Sequence, residues 1–131
     1  PEYLRKVPAV TMPADLQSHR IVGSSLRLKW HLTDSESGVV EEIFPRFHTQ
    51  SNDLAFIKYW ILDHQGIALL PVSEIFEELV SGALIRVLPQ WHGHVRDIYA
   101  VWPTGRLLSE KAKYLREYIR RFLEQTALQS I

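Results

Sequence analysis

Two hydrophobic periods alternate along this chain. "LRLKWHL" switches strictly between apolar and polar residues and sets Leu26, Leu28, Trp30 and Leu32 on one face, the two-residue period of a half-buried strand. "TDSESG", ending at Gly38, supplies a turn, and "VVEEIFPRFH" returns as a strand that Pro45 bends or ends, because proline brings no N–H to a ladder. These segments predict a hairpin. Before them, "MPADLQSH" reads as a short helix with Pro13 in its first turn, and "RIVGSS" as another strand.

The period then lengthens. "SNDLAFIKYWILDHQ" predicts a helix that Ser51 or Asn52 can cap, with Asp53 complementing the positive end of its dipole. Leu54, Phe56, Ile57, Tyr59, Trp60 and Ile61 occupy more than one face, so this helix is expected to be largely buried. "GIALLP" is too short for a helix and fits a central strand covered on both sides. Val72, Ile75, Phe76, Leu79 and Val80 repeat with helical spacing up to Gly82. "ALIRVLP" predicts a strand, "QWHGHVR" a loop, and "DIYAVWP" a further strand. "LSEKAKYLREYIRRFLEQ" closes the series as a helix capped by Ser109, with Leu108, Ala112, Leu115, Ile119 and Phe122 along one side. Strands alternating with helices indicate an α/β fold. Gly66, Pro71 and Gly82 punctuate its central stretch as scaffold.

Composition narrows the function more than the fold. At 131 residues the chain is one domain's worth of protein, and 15 basic residues balance 15 acidic ones. Zero net charge argues against a strongly basic nucleic-acid surface, and "REYIRR" is a modest patch at most. Without cysteine, this stretch has no disulfide, zinc thiolate or thiol nucleophile. No apolar run approaches the roughly 18 residues of a membrane span, and no basic and apolar leader opens the chain.

Enzymatic motifs are sparse. In "WHGHVRD", His92 and His94 would point the same way from an extended segment and could share a metal with Asp97 nearby. No third ligand stands at a recognisable spacing, so a glycine-containing loop is the simpler reading. "VGSSL" and "PVSE" lack the glycines of a nucleophile elbow, and phosphate-loop and dinucleotide fingerprints are absent. Glu41–Glu42 and Glu77–Glu78 diverge on a strand and a helix respectively, which suits solvated faces rather than paired catalysis. "TQSND" is more suggestive. It opens a helix, where unpaired N–H groups and the dipole can hold a small carboxylate or simply be capped. Asp53 stabilises that helix but repels an anion.

The ordered series "SND…DHQGIALLP…EELVSGALIRVLPQW…IYAVWPTGRLLSEKAKYLREYI" resembles the effector-binding domain of LysR-type bacterial transcriptional regulators. "PEYL" and "MPADLQSH", with Pro13, Asp15, Leu16 and His19, extend the resemblance to the amino end. It covers Pro1 to about Leu123, through Gly66, Gly82, Leu84, Leu88, Pro89, Trp91, Pro103, Arg106, Ser109 and Lys111.

The resemblance implies a type II periplasmic-binding-protein-like α/β fold whose two subdomains enclose a small effector. Residues 1–98 would be mostly the second subdomain, and 99–131 the returning crossover strand and final helix of the first. A winged helix-turn-helix would lie upstream, so the chain, which opens "PEYLRK" without methionine, is expected to be a piece of a longer cytoplasmic, oligomeric regulator.

Carried over position by position, Gln50, Ser51 and Asn52 become effector contacts and Asp53 more a cap. Tyr99, Val101 and Trp102 fall on the cleft floor, and Ser24 and Ser25 are weaker candidates. No catalysis, cofactor, metal or membrane contact is implied. The partners are a small-molecule effector, with carboxylates among the candidates, further copies of the chain, and DNA only through the upstream domain. The stripe from Leu108 to Phe122 is expected to pack on its own subdomain or on another chain. Two readings stand beside this one: part of a periplasmic solute-binding protein, and a small metal hydrolase using His92 and His94. Two departures from the family stand out. His64 occupies a position where the family usually has glycine. Phe56, Tyr59 and Trp60 are also bulky for their helix, and are expected to fill the core rather than narrow the cleft.

Overall fold

A computed structural model of the protein describes residues 1–95, Val101 and residues 109–128. Its contacts divide into two units, Pro1–Arg96 and Asp97–Ile131. In the first unit, β1 (Ile21–Ser24) pairs in parallel with β4 (Phe47–Ser51). A second sheet places β2 (Trp30–Asp34) between β3 (Val40–Ile43) and β5 (Trp91–His92), antiparallel to both. Pro45 lies between β3 and β4, where the chain leaves one sheet for the other, as its missing N–H requires.

The predicted hairpin is β2–β3. Asp34 tightens its turn by accepting from the Ser37 N–H (2.7 Å), the Ser37 hydroxyl (2.8 Å) and the Glu36 N–H (3.0 Å). Those donors, Ser37 first, hold the Asp34 carboxyl below its ordinary range. Gly38 follows with φ 71°, a left-handed conformation suited to glycine. The expected strand face from Leu26 to Leu32 is only half realised. Leu26 is 80% exposed and Leu28 67%, because Ser24 turns the chain there, accepting from the Leu26 N–H through its hydroxyl and from the Arg27 N–H through its carbonyl. Trp30 and Leu32 alone of the four reach the core.

Two apolar clusters lie on opposite faces of β1. Ile21 joins Leu16, Trp30, Leu32, Ile43 and Ile67, while Val22 joins Ile57, Ile61 and Leu84. Successive strand residues point to opposite faces, so β1, with Ile21 and Val22 both buried, is the strand covered on both sides. "GIALLP" does not fill that role. It contributes one parallel bridge position, Ile67, whose N–H donates to the Arg20 carbonyl and whose carbonyl accepts from the Val22 N–H. The expected strand "ALIRVLP" is absent too: its residues form bends, a turn and unassigned backbone, and Leu88 has φ 63°, incompatible with extended backbone. Residues 68–70 therefore have no strand to pair with on that side.

α1 (Leu54–Leu62) buries Ile57 and Ile61 against β1 and β4. Phe56 (58% exposed) and Tyr59 (66% exposed) are not core residues, and Trp60 is half-buried. One sheet face covers one stripe of the helix, and no second layer lies outside it among the described residues of this unit. At its carboxyl end the His64 N–H donates to Ile61 and the Gln65 N–H to Trp60, the two bonds of a Schellman motif. His64 takes φ 61° there. α2 (Val72–Val80) ends similarly, with Gly82 at φ 76° donating to the Leu79 carbonyl. Ile75 and Leu79 pack on the second cluster, whereas Val72, Phe76 and Val80 stay exposed. Lys58 and Glu78 form an ion pair between the two helices.

Before β1, two short 3₁₀ turns, Tyr3–Arg5 and Pro13–Ser18, close over the first cluster. Asp15 accepts from the Thr11 N–H (2.8 Å), the Thr11 hydroxyl (2.9 Å) and the Met12 N–H (3.0 Å). These bonds, led by the Thr11 N–H, hold its carboxyl below the ordinary carboxylate range. The Tyr3 hydroxyl accepts from the Arg20 N–H (2.8 Å) and lies 3.3 Å from Nδ1 of buried His19.

The second unit holds α3 (Glu110–Leu128). Ser109 caps it as expected, its hydroxyl accepting from the Ala112 N–H. Glu117 bonds Arg120 and Arg121, and those cations, Arg120 first, bring its carboxyl to about 2. On the apolar stripe, Leu115 remains 51% exposed.

Candidate functional site

The parallel pairing of β1 with β4 fixes the geometry of the candidate site. Its register sets Gly23 beside Gln50 and Ser24 beside Ser51, so both strands end level with each other. Gly23 is needed in this register because a β-carbon there would collide with the Phe47 ring. Beyond the strand ends, the Ser25 N–H donates to the Ser51 carbonyl at 3.1 Å and keeps the two exits together. α1 starts three residues after Ser51, directing its amino end to the same place. The carboxyl edge of parallel strands beside a helix amino end is where open α/β sheets hold ligands, since N–H groups and side chains converge there without a strand above them.

Five sequence candidates from two distant segments meet here: Ser24, Ser25, Gln50, Ser51 and Asn52. Gln50, Asn52 and Ser25 are exposed, and Ser24 and Ser51 half-buried. Asp53 is the cap of α1, accepting from the Ala55 N–H at 2.8 Å, as the family resemblance implied and in place of the Ser51 or Asn52 that the local pattern offered. It wins because the chain is already extended at Asp53 (φ −102°, ψ 120°), which aims its carboxylate at the first turn. The Ser51 hydroxyl accepts from the Asp53 N–H at 3.0 Å, and that of Ser24 accepts from the Leu26 N–H at 3.2 Å. Each hydroxyl oxygen is thus oriented, while its hydrogen can donate to a ligand oxygen.

The Asp53 carboxylate occupies part of the positive end of the helix, so an anion would depend on neutral donors as well as on the dipole. This set can bind and orient a small polar molecule. It contains no activated nucleophile and no general base paired with one. Sequence reading weighed the serines at 24–25 and the polar run at 50–52 separately; their adjacency is a property of strand register. Tyr99 and Trp102 lie outside the described residues, and Val101 is exposed. His92 Nδ1 lies 2.9 Å from the Gly93 carbonyl, Asp97 lies outside the described residues, and no group of three metal-ligating side chains occurs among the described residues.

The chain is 27% identical over 124 residues to the HTH-type transcriptional regulator PtxR of Pseudomonas aeruginosa, covering 94% of this chain and 40% of that protein. It is 31% identical over 75 residues to the HTH-type transcriptional regulator DmlR of Escherichia coli, covering 57% of this chain and 24% of that one. Among solved structures it resembles the regulatory domain of AphB from Vibrio vulnificus, with a TM-score of 0.85 at 30% identity over 92% of this chain and 61% of the other. The chain therefore spans well under half the length of these curated relatives. The family model of the LysR substrate binding domain matches residues 1–124, and the chain belongs to that family.

Proposed function

We propose that this chain is the effector-sensing part of a bacterial LysR-type transcriptional regulator, and that Gln50, Ser51 and Asn52, joined by Ser24 and Ser25, contact the effector. The observation that carries the reading is the convergence of these residues at the carboxyl ends of β1 and β4, beside the start of α1. Residues 1–98 would form the second subdomain. Residues 99–131 would supply the crossover strand, with Tyr99, Val101 and Trp102 toward the effector, and the last helix of the first subdomain. A small carboxylate suits the hydroxyl and amide donors and the helix amino end. Binding would favour one arrangement of the subdomains and so alter how an oligomer in the cytoplasm presents its DNA-binding domains. A periplasmic solute-binding protein could use the same fold, but the relatives named above are regulators.

Two experiments test this. Sequencing the DNA upstream of the Pro1 codon should reveal an open frame encoding a helix-turn-helix; a secretion signal in that frame would move the reading to solute binding. In the protein encoded by that longer frame, Asn52→Asp and Ser51→Ala should abolish or sharply reduce the response of a promoter reporter to a panel of small mono- and dicarboxylates, with operator binding retained. Responses equal to the parent's in both variants would remove these residues from the site.

A further inference from the structure

The first unit contains a cavity of about 220 Å³ that shares no lining residue with the strand-end site. It opens where the chain fails to continue its sheet. Residues 66–70 form one wall, the irregular segment 84–88 and Trp91 to Gly93 form another, and Tyr3, Leu4, Leu16 and Trp30 form the base. Its lining includes the exposed Val72, Ile85 and Arg86, so the space is open to solvent on one side and a small molecule has a way in. An apolar cavity of roughly 150 Å³ is enough to hold benzene.

Its lining defines the chemistry. Three aromatic rings, those of Tyr3, Trp30 and Trp91, contribute, and most other members are aliphatic. Arg86 and His92 are the side chains there that can carry positive charge, and no carboxylate lines the space among the described residues. The Tyr3 hydroxyl is already engaged with the Arg20 N–H and with His19, so the tyrosine offers the cavity its ring. The wall is also held in a costly conformation. Leu88 has φ 63° immediately before Pro89, and the Trp91 N–H donates to the Leu88 carbonyl at 3.0 Å to close that turn. A left-handed leucine is sparsely populated, and such strain persists only where surrounding structure enforces it. On the opposite wall Leu69 lies so close to Gly93 that a β-carbon there would stand 3.1 Å from its Cδ1, which makes residue 93 a point of close backbone approach.

We infer that this cavity is a second ligand site, one that accepts an uncharged molecule the size of a single aromatic ring. The inference stands independently of the effector role assigned to Gln50, Ser51 and Asn52. Aromatic walls offer edge and face contacts to a ring, the absence of carboxylates among the described lining residues disfavours cations, and the exposed Arg86 can keep its charge in water while most of the lining is hydrocarbon.

The test is titration of the isotopically labelled 131-residue protein with toluene up to its aqueous solubility, followed by NMR. Saturable shifts should fall on the methyls of Leu69, Leu84 and Val87 and on the Trp30 and Trp91 indoles, while amides 50–53 stay still. Ala68→Leu and Val87→Phe each add volume at the lining, and either one that retains the parent's dispersion should weaken toluene at least tenfold. Absence of saturable shifts in the parent, shifts centred on residues 50–53, or undiminished binding in a folded filled variant would each overturn the inference.

Discussion

Position 64 offers a test of the backbone argument in which two substitutions should move stability in opposite directions. His64 sits one residue past the α1 C-cap with φ 61°, while Gly82 occupies the equivalent place after α2 with φ 76°. A left-handed conformation costs an L-residue about 1–2 kcal/mol, which glycine avoids. Glycine loses about 0.4–1 kcal/mol of this advantage through the greater freedom of its unfolded chain. His64→Gly should therefore stabilise by roughly 0.5–1 kcal/mol. With an unfolding entropy of about 2.1 cal/mol/K for each of 131 residues, that is a rise in Tm of roughly 2–4 °C. His64→Val, which puts a β-branched side chain into the same conformation, should destabilise by about 1–2 kcal/mol. Gly66→Ala, two residues on, should lose more than about 1 kcal/mol. Its β-carbon would meet the Arg20 carbonyl oxygen, which accepts the Ile67 N–H that ties this segment to β1. Circular dichroism during thermal and urea unfolding reads all three. Equal effects of glycine and valine at position 64, or a lower Tm for His64→Gly, would refute the backbone explanation.

Ile57 is 1% exposed against Val22, Ile61 and Leu84, so Ile57→Ala should cost about 2–5 kcal/mol in urea denaturation. A loss under 1 kcal/mol would mean that α1 does not anchor the second cluster. Acid stability is set partly by Asp15 and Asp34, whose folded pKa values lie below the ordinary 3.8. Their contribution is complete above the unfolded value and disappears as pH falls through the lower folded value. The double variant Asp15→Asn, Asp34→Asn should thus be less stable than the parent at neutral pH, with the gap closing below about pH 4 in unfolding curves taken across pH. A gap that does not change with pH would assign both residues a purely steric role.

Much of the architecture follows from local chemistry and was legible in order along the chain. The turn "TDSESG" ends at a left-handed glycine, Pro45 ends a strand, Gly82 and Ser109 mark helix ends, and the 3.6-residue pattern from Val72 to Val80 is a helix. These features depend on φ preferences, missing donors and short side-chain hydrogen bonds, which neighbouring residues decide among themselves. The polar run at Gln50–Asn52 was also recognisable as the opening of a helix. Burial was not local. The alternation at Leu26 and Leu28 looks like that at Trp30 and Leu32, but Ser24 turns the chain before the first pair can reach the sheet. Phe56 and Tyr59 are as apolar in sequence as Ile57, but the face of α1 that meets β1 and β4 selects Ile57 and leaves the rings in solvent. "GIALLP" had the composition of a central strand, and whether it became one depended on a partner that the irregular segment 83–88 did not supply. The site belongs to this second class. Ser24 and Ser51 become neighbours through parallel strand register, which pairs residues far apart in sequence by hydrogen bonds no local pattern encodes.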